Sequence, residues 1–513
     1  MTRIQDQELK RKALAMKIST WVVRSKRPLS LQELQHALVV RENTKKLDVN
    51  FIPPSEIILS LCAGLVVLDE ERTIVRLVHY TAQEYFEREQ EQWFEDPETE
   101  MTMTCATYLL FDVFRKDYNV EYRNKCRQLK RRDSELAAHP FHDFAVHYWG
   151  YHAQSATTEA TQLLLRFLTS DDYIGLYRYI RMPPNRKHGD SPSLMTSGLH
   201  LAAYFGLWLL ESCLLDSGNH PDEKDRNDRT ALSYAAEFGQ ERVAKLLLAR
   251  DDVDPNSSSI TDPYGRRAPL MLAAKNGHQT IVGLILERSD IKIDMRDGHG
   301  NTALHWAVQS RNTSIIAQLS QKGVSLELEN NPRQTVLLIA VKNGDLSMTS
   351  LLIRNGARPN PKPNEGSRST PLALAAREGH AGVTRLLLEK GADPELRDTY
   401  RSGRYSLHGT VQGGNTSVGK LLLKEGADPH PFTGDGRTPF PFAAENGHMV
   451  VSELLLATGK VNPDSKDSEG RTPLSYAAEQ GHRTIVEFLL DTCGVDPDSN
   501  ATRSWLAEPT PAM

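Results

Sequence analysis

Thr370-Pro-Leu-Ala-Leu-Ala-Ala376 decides the fold, because the chain repeats it. Close copies read Thr230-Ala-Leu-Ser-Tyr-Ala-Ala236, Thr302-Ala-Leu-His-Trp-Ala307 and Thr472-Pro-Leu-Ser-Tyr-Ala-Ala478. Weaker copies start at Ser197, Ala268, Thr335, Tyr405 and Thr438. The apolar residue two places on (leucine, once phenylalanine) falls at 199, 232, 270, 304, 337, 372, 407, 440 and 474, with spacings of 33, 38, 34, 33, 35, 35, 33 and 34. A fixed period of this length marks one supersecondary unit used many times over.

Each part of the unit has a physical task. The threonine caps a first helix. Proline after it suits the first turn, where its missing N–H costs nothing. Paired alanines such as Ala375 and Ala376 let neighbouring helices come close. Gly379-His380 ends the first helix, with glycine supplying the left-handed conformation. Val383, Leu386, Leu387 and Leu388 form the apolar stripe of a second helix. Gly391-Ala-Asp-Pro394 ends it and starts the finger to the next unit. No unit buries its apolar face alone, so stability comes from stacking. Repeat seven, Tyr405-Ser-Leu-His-Gly-Thr-Val-Gln-Gly-Gly414, is the weak copy. Gly409 and Gly413 stand where alanine or a polar helix former is expected, each at a cost of about 1 kcal/mol in a helix interior. Asn256-Ser-Ser-Ser-Ile-Thr-Asp-Pro263 lengthens one finger, as padding or as a contact loop.

The first 190 residues read differently. Leu14, Ile18, Trp21 and Val22 have helical spacing. Ser30-Leu-Gln-Glu33 is a capping box opening a second helix through Leu34 and Leu38. A third helix spans Glu56 to Cys62 and ends at Gly64. Leu65 to Leu68 and Ile74 to Val78 are β-rich runs joined by Asp69-Glu-Glu-Arg72, a hairpin. Thr81-Ala-Gln-Glu84 is a further capping box. Three helices and a hairpin make a winged-helix pattern. The third helix carries Glu56 and no Lys or Arg, so it lacks the cations that DNA phosphates demand. Apolar stretches around Tyr108 to Phe114, Phe141 to Trp149 and Leu163 to Leu168 indicate a helical linker. The run Arg123-Asn-Lys-Cys-Arg-Gln-Leu-Lys-Arg-Arg132 is read as a solvated face, with nuclear import as the functional alternative.

The repeated phrase and its period identify the chain as a member of the ankyrin-repeat family over about 300 residues. The N-terminal third resembles a narrower pattern. Arg27-Pro-Leu-Ser-Leu-Gln-Glu-Leu34, Cys62-Ala-Gly-Leu-Val-Val67 and Val78-His-Tyr-Thr-Ala-Gln-Glu-Tyr-Phe86 are similar to the winged-helix segment of fungal NACHT–ankyrin signalling NTPases. Cys105-Ala-Thr-Tyr-Leu-Leu-Phe-Asp112 and Phe144-Ala-Val-His-Tyr-Trp-Gly-Tyr-His152 resemble the helical segment that follows it there. The resemblance implies a mainly α chain: a winged-helix-like α/β module (1–95), a helical linker (96–190), an ankyrin solenoid of about nine repeats (195–498) and a tail (499–513). It also implies a sensor role beside a nucleotide-binding NACHT domain. That domain is expected before residue 1 and is not in this sequence, so nucleotide switching is not carried over.

Chemistry is sparse. Gly414-Asn-Thr-Ser-Val-Gly-Lys420 fits the phosphate-loop spacing, but Leu421 follows where Ser or Thr is needed. The segment aligns with an inter-helix turn. His142, His147 and His152 are five apart and so spread around a helix. No titratable cluster is evident between residues 100 and 180. Five scattered cysteines, at 62, 105, 126, 213 and 493, suggest reduced thiols and a cytoplasmic or nuclear setting. There is no signal peptide and no 18-residue apolar run. Charged residues total 61 basic and 66 acidic, a net charge of −5, which argues against nucleic-acid or membrane partners. The expected function is non-catalytic recognition of a protein on the concave face, with no cofactor or metal. Candidate contacts are the exposed first-helix residues Glu237, Lys275, Gln309, Lys342, Arg377, Glu445 and Glu479. The alternative is the regulatory half of a NACHT-type NTPase.

Overall fold

A computed structural model describes residues 9–115, 138–169, 197–259, 265–360, 369–398 and 403–495, apart from 70, 72, 90–92, 95, 226 and 492. The basic run at 123–132, Cys126, residues 260–263 of the long finger, the end of the linker and the tail lie outside them. The chain divides into two compact units, residues 1–273 with 287–291, and residues 274–286 with 292–513. Each is described by itself.

The first unit opens with helix α1, Leu9–Arg24, which buries Ala15, Ile18 and Trp21. Ser30 caps α2, Leu31–Val39, in the expected box, and Leu34 and Leu38 are buried. Helix α3 is Ser55–Leu61. The hairpin is β2, Val66–Asp69, with β3, Ile74–Leu77. The short β1, Leu29–Ser30, joins β3 on its other edge, so the antiparallel order is β1-β3-β2 with Leu29 opposite Val75 and Val66 opposite Leu77. This is the winged-helix arrangement. One detail differs from the sequence reading: α4, Tyr80–Arg88, is capped by His79 and not by a box at Thr81. The His79 imidazole accepts from the Thr81 backbone N–H, so the helix starts two residues earlier than a cap at Thr81 would set it.

The linker helices are α5, Pro97–Leu109, the short α6, Asp112–Arg115, α7, Phe141–Ala153, and α8, Thr158–Thr169. Their core is aromatic, with Tyr108, Phe141, Phe144, Trp149 and Phe167 fully buried. A titratable cluster absent from the sequence reading ties α1, α5 and α7 together. The Glu98 carboxylate accepts from His152 Nδ1 at 2.5 Å and from Arg24 Nη2 at 3.0 Å, with Lys26 Nζ at 3.8 Å. The partners are 54 and 74 residues apart in sequence, so spacing along one helix could not show them. Helix α7 also covers repeat one. Gly150 has no Cβ, the Phe205 ring lies where one would be, and Gln154 Nε2 donates to the Phe205 carbonyl at 2.6 Å. A solenoid end has to be covered by something other than another repeat, and here the linker does it.

Among the described residues there are nine helix pairs, one at each of the nine repeat positions. Thr230, Thr302, Thr335, Thr370 and Thr472 accept from the backbone N–H three residues on, as capping requires. Repeat six shows the unit whole: Pro371–Glu378, Gly379 at φ +77°, then Ala381–Glu389. Its Leu372, Ala375, Ala376, Val383 and Leu387 are buried, whereas Leu386 and Leu388 are half-buried. Burying each leucine contributes roughly 1.5–3 kcal/mol, far more than its helix propensity.

Candidate partner-binding face

A network rooted in the fingers builds the first-helix face. In several repeats an acidic or amide residue folds the finger turn by accepting from backbone N–H groups. Asp225 Oδ1 takes Asn227 and Arg229, Asp297 Oδ1 takes His299 and Asn301, and Asp467 Oδ1 takes Glu469 and Arg471, all at 2.7–2.9 Å. The outer oxygen of the same carboxylate then receives a donor from the first helix: the Tyr234 hydroxyl (2.6 Å), Trp306 Nε1 (3.0 Å) or the Tyr476 hydroxyl (2.6 Å).

An arginine just before the helix completes the arrangement. The guanidinium carbons of Arg229, Arg437 and Arg471 lie 4.0, 3.8 and 4.0 Å from the ring centroids of Tyr234, Phe442 and Tyr476. The same arginines form ion pairs with Glu237, Glu445 and Glu479, eight residues on. Arg437 also covers Tyr476 at 4.2 Å, and Arg404 covers Phe442 at 4.8 Å. Through repeats seven to nine, cations and rings thus alternate as Arg404, Phe442, Arg437, Tyr476, Arg471. Each such contact is worth about 0.5–2 kcal/mol depending on desolvation.

These contacts sort the sequence candidates. Glu237, in the first unit, is almost covered and holds Arg229. Glu445 and Glu479 hold Arg437 and Arg471. All three are structural struts as well as surface residues. Lys275 Nζ sits 5.2 Å from the Trp306 ring. Gln309 and Lys342 are exposed. Arg377 pairs with its exposed neighbour Glu378 at 3.0 Å. The Gly-His histidines reach across repeats. His380, His448 and His482 donate through Nε2 to the carbonyls of Lys342, Gln412 and Glu445, each the last residue of the preceding first helix.

The structure corrects the register of Gly409. It occupies the position of Tyr234, Trp306, Phe442 and Tyr476, not an alanine position. With no ring, the first helix of repeat seven, Ser406–Gln412, lies close on that of repeat six. A Cβ on Gly409 would stand 2.7 Å from the Ala373 carbonyl oxygen. Above that contact a cavity of about 290 Å³ opens, lined by Ser369, Ala373, Arg377, Asp398, Arg404, Tyr405, Gly409 and Gln412. A second, of about 320 Å³, adjoins it and shares Arg404 and Gln412, with Arg437, Phe442, Glu445, Asn446 and Gln480. The face therefore brings Arg377 and Glu445 near one trough. Arg404, Gln412 and Arg437 were missed in the sequence, although reading one residue before each threonine and eight beyond would have found the pattern.

The phosphate-loop look-alike is an inter-helix turn. Gly414 has φ +67°, a helix precedes it, and Lys420 lies within Thr416–Lys424. Among the described residues, no group of acidic, histidine and cysteine side chains is arranged to hold a metal, and no helix is long and apolar enough to cross a membrane. Cys62, Cys105, Cys213 and Cys493 are free thiols, and burial pushes Cys62 up to about 12.

Comparison with known families agrees with this geometry. Ankyrin-repeat models match residues 256–330, 304–398 and 407–501, and a single-repeat model matches 227–260. A model described as the winged helix domain of GPI inositol-deacylase matches residues 3–95. The chain belongs to the ankyrin-repeat proteins and carries an N-terminal winged helix of that type, a domain associated with the NACHT family. It is similar to rabankyrin-5 of Mus musculus, 28% identical over 148 residues, covering 29% of this chain and 12% of that protein. It is also similar to the human transient receptor potential cation channel subfamily A member 1, 26% identical over 206 residues, 32% of this chain and 18% of the channel. The ankyrin repeat domain-containing protein SAT10 of Stachybotrys chartarum is 29% identical over 166 residues, 32% of this chain and 8% of that protein. The chain thus spans less than a fifth of these relatives' length. Ankyrin repeats indicate protein–protein interaction.

Proposed function

We propose that the chain is a non-catalytic scaffold that receives a protein partner on the first-helix face of its second unit. The observation that carries this reading is the trough over repeats six to nine, whose two polar cavities share Arg404 and Gln412. Lys275, Gln309, Lys342 and Arg377 are the contact residues, and the arginine-bound Glu445 and Glu479 shape the wall. The partner is a protein rather than nucleic acid or membrane, since the net charge is −5 and helix α3 offers Glu56 and no cation. The setting is the cytoplasm or the nucleus, consistent with free thiols. An alanine series at Lys275, Gln309, Lys342 and Arg377, read as affinity for a partner, tests it. Unchanged affinity at all four sinks the reading.

A second reading is favoured by the winged-helix match over residues 3–95. In it, the chain is the sensor half of a NACHT-type signalling NTPase whose nucleotide-binding domain lies on another chain or upstream in the gene. Co-purification with a NACHT protein, or an in-frame phosphate loop upstream of Met1, supports it. A chain that ignores such proteins counts against it.

A further inference from the structure

We infer that the cavity between α1, α5 and α8 of the first unit receives a basic side chain, lysine or arginine, of a protein partner. Its lining comes from the winged helix and the linker, so it is a second site beyond the first-helix face of the repeats.

Helix α5 supplies one wall. Thr99, Glu100, Met103, Thr104 and Thr107 fall three and four apart and so share a face, and all of them line a cavity of about 340 Å³. Asp96 caps this helix, its Oδ1 accepting from the Thr99 backbone N–H at 3.2 Å. The start of α8 is fastened to the same face, because the Thr157 backbone N–H donates to Thr99 Oγ1 at 2.7 Å. Glu159 follows there. Lys17 of α1, with Val40 and Glu42 just after α2, completes the lining.

Four carboxylates thus surround one ammonium. Lys17 Nζ pairs with Glu100 Oε1 at 3.4 Å, and the Asp96 charge is spent on the helix N-terminus. Glu42 and Glu159 remain, both exposed, and among the described residues neither meets a cation. Carboxylates alone make only a solvated surface. Thr107 marks the cavity as a site. It is 3% exposed, and its hydroxyl has no hydrogen-bond partner. A threonine inside a helix can return its hydroxyl to the carbonyl four residues back, as Thr102 does to Glu98 at 2.7 Å. Thr107 makes no such bond and lines the cavity instead. A buried hydroxyl left unpaired is costly, and an ammonium or guanidinium, which only donates, would pair with its oxygen.

The occupant follows from this layout. A metal ion needs several oxygens around one point, and among the described residues no acidic side chains converge in that way. Exposed carboxylates at the mouth and a hydroxyl at the base suit a long cation with several N–H groups. Val40 and Met103 offer apolar surface to its stem. The volume lies at the lower end of the roughly 300–1,000 Å³ of small-molecule pockets, room for one long side chain with its backbone left at the mouth.

The test uses the full chain with isotope-labelled methionine methyl groups, read by NMR, with Met103 as the reporter inside the cavity. The probes are capped alanine tripeptides with a central lysine, arginine or glutamine, and free butane-1,4-diamine. The lysine or the arginine peptide should shift the Met103 methyl saturably, and the glutamine peptide should not. The double variant Glu42→Gln, Glu159→Gln changes two exposed residues and should weaken binding about fivefold, the size of two exposed ion pairs. Thr107→Val keeps the shape, removes the hydroxyl and should weaken binding about threefold. Glu84→Gln, an exposed carboxylate outside the cavity, should leave affinity unchanged. No shift with either cationic peptide, or affinity indifferent to the double variant, overturns the site. Saturation by the diamine but by neither peptide overturns the protein side chain as its occupant.

Discussion

Gly409→Ala sets helix propensity against packing, and the structure decides the sign. Alanine in place of glycine inside a helix gains about 1 kcal/mol. On that ground alone the change should strengthen repeat seven. The new Cβ, however, would stand 2.7 Å from the Ala373 carbonyl oxygen and 3.3 Å from the Arg377 backbone nitrogen, where ordinary contact begins at 3.4 Å. Both neighbours are backbone of a well-capped helix, so relief requires moving one first helix away from the other by several tenths of an ångström. Overpacking of this kind costs about 1–3 kcal/mol, and the net effect is about 0–2 kcal/mol of destabilisation. Gly283 supplies the internal standard. It lies within the second helix of repeat three, and the nearest atom to a Cβ there is 3.8 Å away, at the end of the Gln318 side chain. Gly283→Ala should therefore show the propensity gain undiminished. The propensity term is common to both variants, so they should differ by the clash alone, about 1–3 kcal/mol. Hydrogen exchange resolved to peptides of repeats three, six and seven reads the local opening energy of each. Equal stabilisation by the two substitutions would refute the close approach of the helices.

Other expectations follow from the same contacts. Glu211 is fully buried in repeat one, its carboxylate oxygens have no hydrogen-bond partner, and burial pushes its pKa well above 4.5. The folded state therefore holds a proton that the unfolded state releases, so this group's contribution is fully present below pH 4.5 and is lost as pH rises through the raised pKa. Glu211→Leu should remove that slope and add about 1–3 kcal/mol at pH 7, measured by urea denaturation between pH 5 and 8. Glu237→Ala strips the partner from Arg229, whose side chain is 13% exposed, and should cost about 3–5 kcal/mol. Glu378→Ala at the exposed pair should cost under about 1 kcal/mol, and comparable losses in the two would contradict the network. Burial lowers His408 from 6.5 to about 4, so its contribution is intact above pH 6.5 and is lost as pH falls to 4, a change of up to roughly 3 kcal/mol. NMR titration of its ring is the check, and a midpoint near 6.5 would contradict the burial.

Local periodicity made most of the fold legible. The Thr-Pro caps, the left-handed glycine at 379 and the Ser30–Glu33 box involve residues at most four apart, and each appears in the structure as written. Contacts made across the chain were not legible. Glu98 meets His152 only because α5 and α7 pack together, and no spacing rule reaches over 54 residues. The Gly409 error has a related cause. Repeat seven has lost the threonine, the proline and the alanine pair that fix the register, so its glycines looked like faults in the helix. Stacked between its neighbours, the same segment proves to be in register, and the glycine stands at a position occupied elsewhere by a ring.

The candidate surface residues call for a similar distinction. Position along the first helix marked seven of them equally, because each sits on the outward face just before the turn. Their partners make them unequal. Glu237, Glu445 and Glu479 hold the arginines that fasten finger to helix, so truncating them alters the scaffold before it alters any interface. A loss of binding on mutating these three would say little about contact. At repeat seven, by contrast, Gln412 occupies the strut position without its charge, and a glutamate there makes the scaffold more like its own other repeats. Binding lost through a change that completes the internal pattern cannot be blamed on a damaged fold. That makes residue 412, which exposure and helical position alone did not single out, the most informative position on this face.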